Sequence, residues 1–358
     1  MPIKPVFRST AAARRTGAKI TAAVALVAAA GLALSGCSSS SGTTTSTAKP
    51  NYGSINVQLS WIKDSEFAGE YIADTKGYYK AAGFSSVNFV AGPGSTETVV
   101  ASNKALIGLT DGVSAGTAVV NSKAPVKIIG TTFQKNPFTI ASLVNGADIT
   151  TPQDLIGKKI GVQASNETLF KALLKVNNIP LSKVTIVPVQ YDPSVLTSGQ
   201  VDGYLAFLTD EDIALEEKGY KIANLPFADN GLEFVADAVE ASDESIKDHP
   251  AELEAFLYAT IKGWKAAAAD PALGVDLAVN TYGKSVGLNK ATETKTTTAF
   301  LALQGGSSSS DGPFSISPSL IKANIATLSA AGITISSSDL FDMSLLKDVY
   351  KQHPDLLK

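Results

Sequence analysis

The chain is poor in the residues that build most catalytic centres. Its 358 residues include one cysteine, Cys37, and two histidines, His249 and His353. One copy therefore cannot assemble a disulfide framework or a His/Cys metal cluster, and Ser-His or Cys-His catalytic pairs have little to draw on. Arginine is missing after Arg15, and no acid precedes Cys37. The formal charge of -3 thus conceals two unlike pieces. Lys4, Arg8, Arg14, Arg15 and Lys19 give the first 36 residues +5, while the remainder sets 25 lysines against 33 acids, a formal -8. Without arginine that remainder lacks the planar forks that clamp carboxylate, sulfonate or phosphate. Its acidity also removes the basic surface that nucleic acid requires. No cofactor, metal or nucleic acid is expected.

What is present is a 44% hydrophobic, 18% charged composition, enough for one large domain or two modest ones. The first 36 residues read as an export signal: a basic stretch, an apolar run from Ile20 to Leu34, then Leu34-Ser35-Gly36-Cys37. That run is shorter than the roughly 20 residues that a permanent transmembrane helix needs. The small residues before Cys37 resemble a bacterial lipobox, which implies cleavage there and a diacylglycerol thioether on the Cys37 sulfur. Ordinary cleavage beside an incidental cysteine is the plainer alternative. Residues 37–51 are rich in Ser and Thr, have nothing to bury, and read as a tether. The expected location is the extracytoplasmic face of a cell membrane, held by lipid.

From Ile55 onward, short β-like runs alternate with amphipathic helical runs: INVQLSW, FAGEYIADTKGYYKAAG, VNFV, STETVVASN, ALIGLT, VSAGTAVVNS and VKIIGTTF. Such alternation predicts a mainly parallel sheet covered by helices. A second series starts near Ile149 and runs through VTIVPV, DGYLAF and YKIANL. The extended stretch LEFVADAVEAS, 232–242, carries the chain back, and the sequence then turns almost wholly helical. The expected architecture is α/β and two-lobed, with a hinge of two crossings and a helical C-terminal portion. Lobe I comprises 52–138 plus 232–358, and lobe II comprises 139–231.

A resemblance becomes specific at Leu59-Ser-Trp61, Phe67-Ala-Gly-Glu-Tyr-Ile-Ala73 and Lys76-Gly-Tyr-Tyr-Lys-Ala-Ala-Gly83. Thr151-Pro-Gln-Asp-Leu-Ile-Gly-Lys-Lys-Ile-Gly161, Gly199-Gln-Val-Asp-Gly203, Pro250-Ala-Glu-Leu-Glu-Ala-Phe256 and Gly263-Trp264 agree with it. These segments resemble the solute-binding lipoproteins of ABC importers, the family that includes binders of thiamine pyrimidine precursors, riboflavin, nitrate, taurine and alkanesulfonates. The resemblance implies a periplasmic-binding-protein type II fold that closes over a small-molecule solute, a permease and an ATPase as partners, and a monomer that is not an enzyme.

Ligand sites in such sheets lie beyond strand carboxyl ends, and reading those ends names the candidates. Trp61 follows the first strand, either stacking on a flat ring or capping the core. Glu66 and Phe67 lie in the loop before the first helix, where Glu66 either offsets the helix dipole or accepts from an exocyclic amine. Gly94 and Ser95 open the next helix. Asp111 is either an N-cap or a ligand contact, and Gln134 ends the fourth strand. From lobe II come Asn166, Tyr191 and Tyr204. The acidic run Asp210-Glu-Asp with Glu216-Glu217 reads as a solvated helix face, with Glu211 as its one ligand-facing member.

Aromatics, amides and carboxylates without arginine suit a flat, neutral or weakly cationic heterocycle such as a thiamine pyrimidine precursor or a flavin-like compound. Nitrate, a sulfonate or taurine is the second reading, with Lys135 and helix N-termini replacing a guanidinium. A pyridoxal-phosphate-dependent pyrimidine synthase is a third, of another class. It requires a Schiff-base lysine and a positioned histidine, and neither His249 nor His353 lies near a strand end. A tethered sensor would share the fold and cleft.

Overall fold

A computed structural model describes residues 50–92, 95–304 and 312–357. The export segment, Cys37, most of the tether, Gly94 and most of the 305–313 loop lie outside the described residues.

Ten strands form two sheets of five. The first holds β1 (Gly53–Gln58), β2 (Phe84–Val90), β3 (Ile107–Thr110), β4 (Val126–Phe133) and β10 (Ala236–Ser242), in the order β2-β1-β3-β10-β4. The second holds β5 (Phe138–Leu143), β6 (Lys159–Gln163), β7 (Thr185–Val189), β8 (Gly203–Phe207) and β9 (Ile222–Pro226), in the order β7-β6-β8-β5-β9. β1 is parallel to β2 and β3, and β6 is parallel to β7 and β8. The strand entering each sheet by a crossing, β10 in the first and β5 in the second, runs antiparallel to its neighbours. The expected α/β architecture with two crossings is therefore observed.

β4 is apolar and buried on both faces, as a strand covered by helices must be. β1 alternates, burying Ile55 and Val57 while Ser54 and Asn56 face outward in a polar ladder with Ser86 and Asn88 of β2. The run expected as one first helix is two, Ala68–Thr75 and Tyr78–Ala82, divided at Gly77, whose φ of 70° a side chain would resist. Ala68–Thr75 packs on Pro250–Ala269, and a Cβ on Gly263 would collide with the Gly69 carbonyl, so small residues set the helix spacing. Strand β5 and helix Ser344–Gln352 have no counterpart in the sequence reading.

The C-terminal helices reach both layers. Lys290–Leu303 receives the Ser65 backbone N–H on Glu293 at 3.1 Å, and its Lys295 pairs at 2.6 Å with Glu217, beyond the second sheet.

Candidate functional site

Between the two sheets lies a cavity of about 230 Å³, lined from both sides. The first sheet's strand ends supply Ser60, Trp61, Glu66, Ser95, Glu97 and Asp111, and the returning strand supplies Asp237. The second sheet contributes Phe138, Asn166, Phe207, Asp210 and Glu211. Among the described residues the lining thus carries carboxyls at Glu66, Glu97, Asp111, Asp210, Glu211 and Asp237, and no lysine, arginine or histidine.

Local structure explains each position. Asp64 caps the short turn Ser65–Phe67 by accepting from the Glu66 N–H at 2.9 Å, which fixes the turn that presents Glu66. The Gly92 N–H donates to the Trp61 carbonyl at 2.8 Å, and a Cβ on Gly92 would sit 2.7 Å from the Ser60 carbonyl oxygen. Only glycine lets those two strand-end segments run so close. Asp111 caps Gly112–Thr117, accepting from Val113 N at 2.8 Å and Ser114 N at 2.9 Å with Oδ1, and from Ser114 Oγ with Oδ2 at 2.6 Å. Asp111 is thus the N-cap of that helix, and it also lines the cavity. Ser95 caps Thr96–Ala101 in the same dual way. Glu97 accepts from Thr110 Oγ1 at 2.6 Å and from Ser95 Oγ at 3.2 Å.

Asp237 departs from ordinary strand geometry. Its φ of 46° falls in the left-handed region, inside β10, a conformation that costs free energy for a non-glycine residue. The Ser60 hydroxyl donates to it at 2.9 Å. Glu66 and Asp237 both approach the Ser60 hydroxyl, at 3.5 and 2.9 Å. Burial, then the charges of Asp237 and Asp64, push Glu66 well above the usual carboxyl range. Burial raises Asp237 to about 6 against the opposing hydrogen bonds from Glu66 and Ser60. Burial likewise carries Asp111 to about 6 and Glu211 to about 7, the latter against the Phe207 N–H that it accepts at 2.8 Å. Asp210 is raised by desolvation and then by the Glu211 charge.

Of the candidates, Trp61, Glu66, Ser95, Asp111, Asn166 and Glu211 come together on the lining. Phe67 is fully buried in the first core, edge-on to Tyr71. Gln134 turns to the C-terminal segment, donating to the Ser315 carbonyl at 3.0 Å. Tyr191 is exposed and off the cavity. Tyr204 packs with Leu196 and Leu215 on the side of its sheet away from the cavity, its hydroxyl donating to the Gln190 carbonyl at 2.8 Å. The acidic run divides rather than forming one solvated face: Asp210 and Glu211 line the cavity, Asp212 is buried and accepts from Asn224 at 2.6 Å, and Glu216 and Glu217 are exposed. Sequence reasoning missed Glu97 and Asp237. The available signal for Asp237 was an acid in the middle of an apolar β-like run, FVADAV.

The model of the family described as NMT1/THI5 like matches residues 64–273. The chain is similar to the riboflavin-binding protein RibY of Chloroflexus aurantiacus, 24% identical over 245 residues that cover 65% of this chain and 67% of that one. It is also similar to the 4-amino-5-hydroxymethyl-2-methylpyrimidine phosphate synthase of Uromyces fabae, 26% identical over 239 residues covering 61% and 67%. Among solved structures, the alkanesulfonate-binding protein SsuA of Xanthomonas axonopodis pv. citri, bound to MOPS, matches with a TM-score of 0.59 at 16% identity, over 81% of this chain and 96% of that one. At that identity the likeness concerns fold, and the fold is that of the periplasmic binding proteins. The family match runs from the turn that presents Glu66 past the long helix holding Gly263 and Trp264, more than half of the sequence, and the chain belongs to the NMT1/THI5-like family.

Proposed function

We propose that this protein is the extracytoplasmic solute-binding component of an ABC importer, anchored through Cys37, and that it captures a small flat amine-bearing heterocycle for delivery to a permease and its ATPase. It acts as a monomer whose lobes, 52–138 with 232–358 and 139–231, close over the solute. The observation that carries the reading is the cavity between the sheets, with carboxyls on both walls, no basic side chain among the described residues, and the rings of Trp61, Phe138 and Phe207. Flat rings gain affinity by stacking, and amine N–H groups satisfy carboxylates that burial leaves short of partners. The solute named for the curated relative RibY, riboflavin, is a flat heterocycle, in keeping with such a site.

Two other readings meet specific obstacles. A sulfonate or nitrate would face carboxyls at short range, a like-charge juxtaposition worth several kcal/mol against binding. A synthase using pyridoxal phosphate would need a lysine and a histidine in the cavity; here His353 packs against Tyr258 at 4.0 Å and His249 sits beside Glu252, both away from the lining. Melting curves of the mature protein with aminopyrimidines, flavins, nitrate and sulfonates test the proposal. A ligand-dependent rise with an aminopyrimidine or a flavin supports it, and a rise with anions alone reverses it.

A further inference from the structure

We propose that the solute of this cavity is a cation, and that its capture is exchanged for the proton held between Glu66 and Asp237. This deepens the solute-binding reading and rests on it.

The geometry begins with two buried carboxyls that flank one hydroxyl, that of Ser60. Two carboxylates at that range, cut off from water, cannot both stay ionised, so one proton is shared between them. Ser60 Oγ lies 2.9 Å from Asp237 Oδ1 and 3.5 Å from Glu66 Oε1, and its single proton serves Asp237. The proton is therefore held by the pair as a unit, with Ser60 as the neighbouring hydroxyl donor. The positive φ of Asp237 holds its carboxyl at this point of the strand.

Among the described residues that line the cavity, none offers a compensating positive charge. The ionisable groups facing the pair are Asp64 on the same turn, Glu70 on the following helix, Asp210 and Glu211 from the second sheet, and Glu293 from Lys290–Leu303 beside Asp64. All are carboxyls. A cationic aminopyrimidine, protonated or N-alkylated, supplies the missing charge and, on its exocyclic amine, two N–H donors in the ring plane. Its field stabilises the doubly ionised pair. The carboxyl O–H bond held by the pair breaks, the proton leaves to solvent, and the bound cation takes its place, so the charge of the cavity is unchanged.

The test is titration calorimetry of the mature protein with 1-methyl-4-aminopyrimidinium, a fixed cation, at about pH 7 in phosphate and in Tris. The observed enthalpy is expected to differ between buffers by the release of about one proton, with affinity rising up to about tenfold per pH unit from pH 5.5 to 7. Glu66→Gln, checked for an intact melting transition, is expected to abolish the buffer dependence. The wild-type buffer comparison stands without the variant. Binding with no buffer dependence overturns the exchange. If the cation fails to bind while riboflavin binds, the exchange falls and the solute-binding reading stands; if no heterocycle binds, both fall.

Discussion

Ser60 donates a 2.9 Å hydrogen bond to Asp237, 177 residues further along the chain. The contact ties the end of the first strand to the strand that returns from the second sheet. A binding site is thereby assembled where the chain enters and re-enters the first sheet, and the strained carboxyl at its centre has a fixed partner. Ser60→Ala is expected to cost about 1–3 kcal/mol of stability by leaving Asp237 short of a donor, measured by urea denaturation.

Trp61 is both a wall of the cavity and part of the first core. Trp61→Ala is therefore expected to lower apo stability by about 3–5 kcal/mol, as large core truncations do. Trp61→Phe keeps an aromatic face and most of the packing. It separates the roles: calorimetry should report a loss of affinity of about 1 kcal/mol for a flat heterocycle with a smaller change in the melting curve.

The stability of the apo protein should rise as pH falls from 8 to 5. Asp111 and Asp237 are raised to about 6, Glu211 to about 7 and Glu70 to about 8 in the folded state, above their values in an unfolded chain. Each such group binds its proton more tightly when folded. Its contribution is fully present below the unfolded value near 4 and is lost as pH rises through the folded value. Urea midpoints at pH 5 and pH 8 check the sign, and a lower midpoint at pH 5 contradicts it.

Asp111 separates fold from binding in another way. Asp111→Ala removes the cap of Gly112–Thr117 and is expected to cost about 0.5–2 kcal/mol without ligand. Asp111→Asn keeps a capping acceptor and should recover most of that loss, as read from the apo melting temperature.

Gly263→Ala should destabilise by about 1–3 kcal/mol or more, because the added methyl meets the Gly69 carbonyl where two helix backbones nearly touch. Chemical denaturation measures it directly.

These residues mark what the sequence could disclose. Strand ends followed by caps are local signals, so Trp61, Glu66, Ser95 and Asp111 were legible as neighbours on one rim. Tyr204 was not, because side chains alternate along a strand and a displacement of one residue moves a side chain to the other face. Tyr204 packs with Leu196 and Leu215, while its neighbour Leu205 lines the cavity. Gln134 was misplaced because its partner, Ser315, lies 181 residues away in the C-terminal segment. The acidic run after Thr209 read as solvated because charge runs commonly are. Its burial depends on β8, β9 and the helix Lys290–Leu303, contacts that no local pattern carries. Asp237 depends on a backbone distortion inside β10, which no local sequence pattern carries.

The central claim is that this cavity selects flat, amine-bearing solutes over anions. Calorimetry of the mature protein at pH 7.5, comparing 4-amino-5-hydroxymethyl-2-methylpyrimidine with taurine and an alkanesulfonate, tests it most directly. The account predicts that the pyrimidine binds at least about 100-fold more tightly, the scale set by several kcal/mol of like-charge repulsion. Tighter binding of the sulfonate would contradict it.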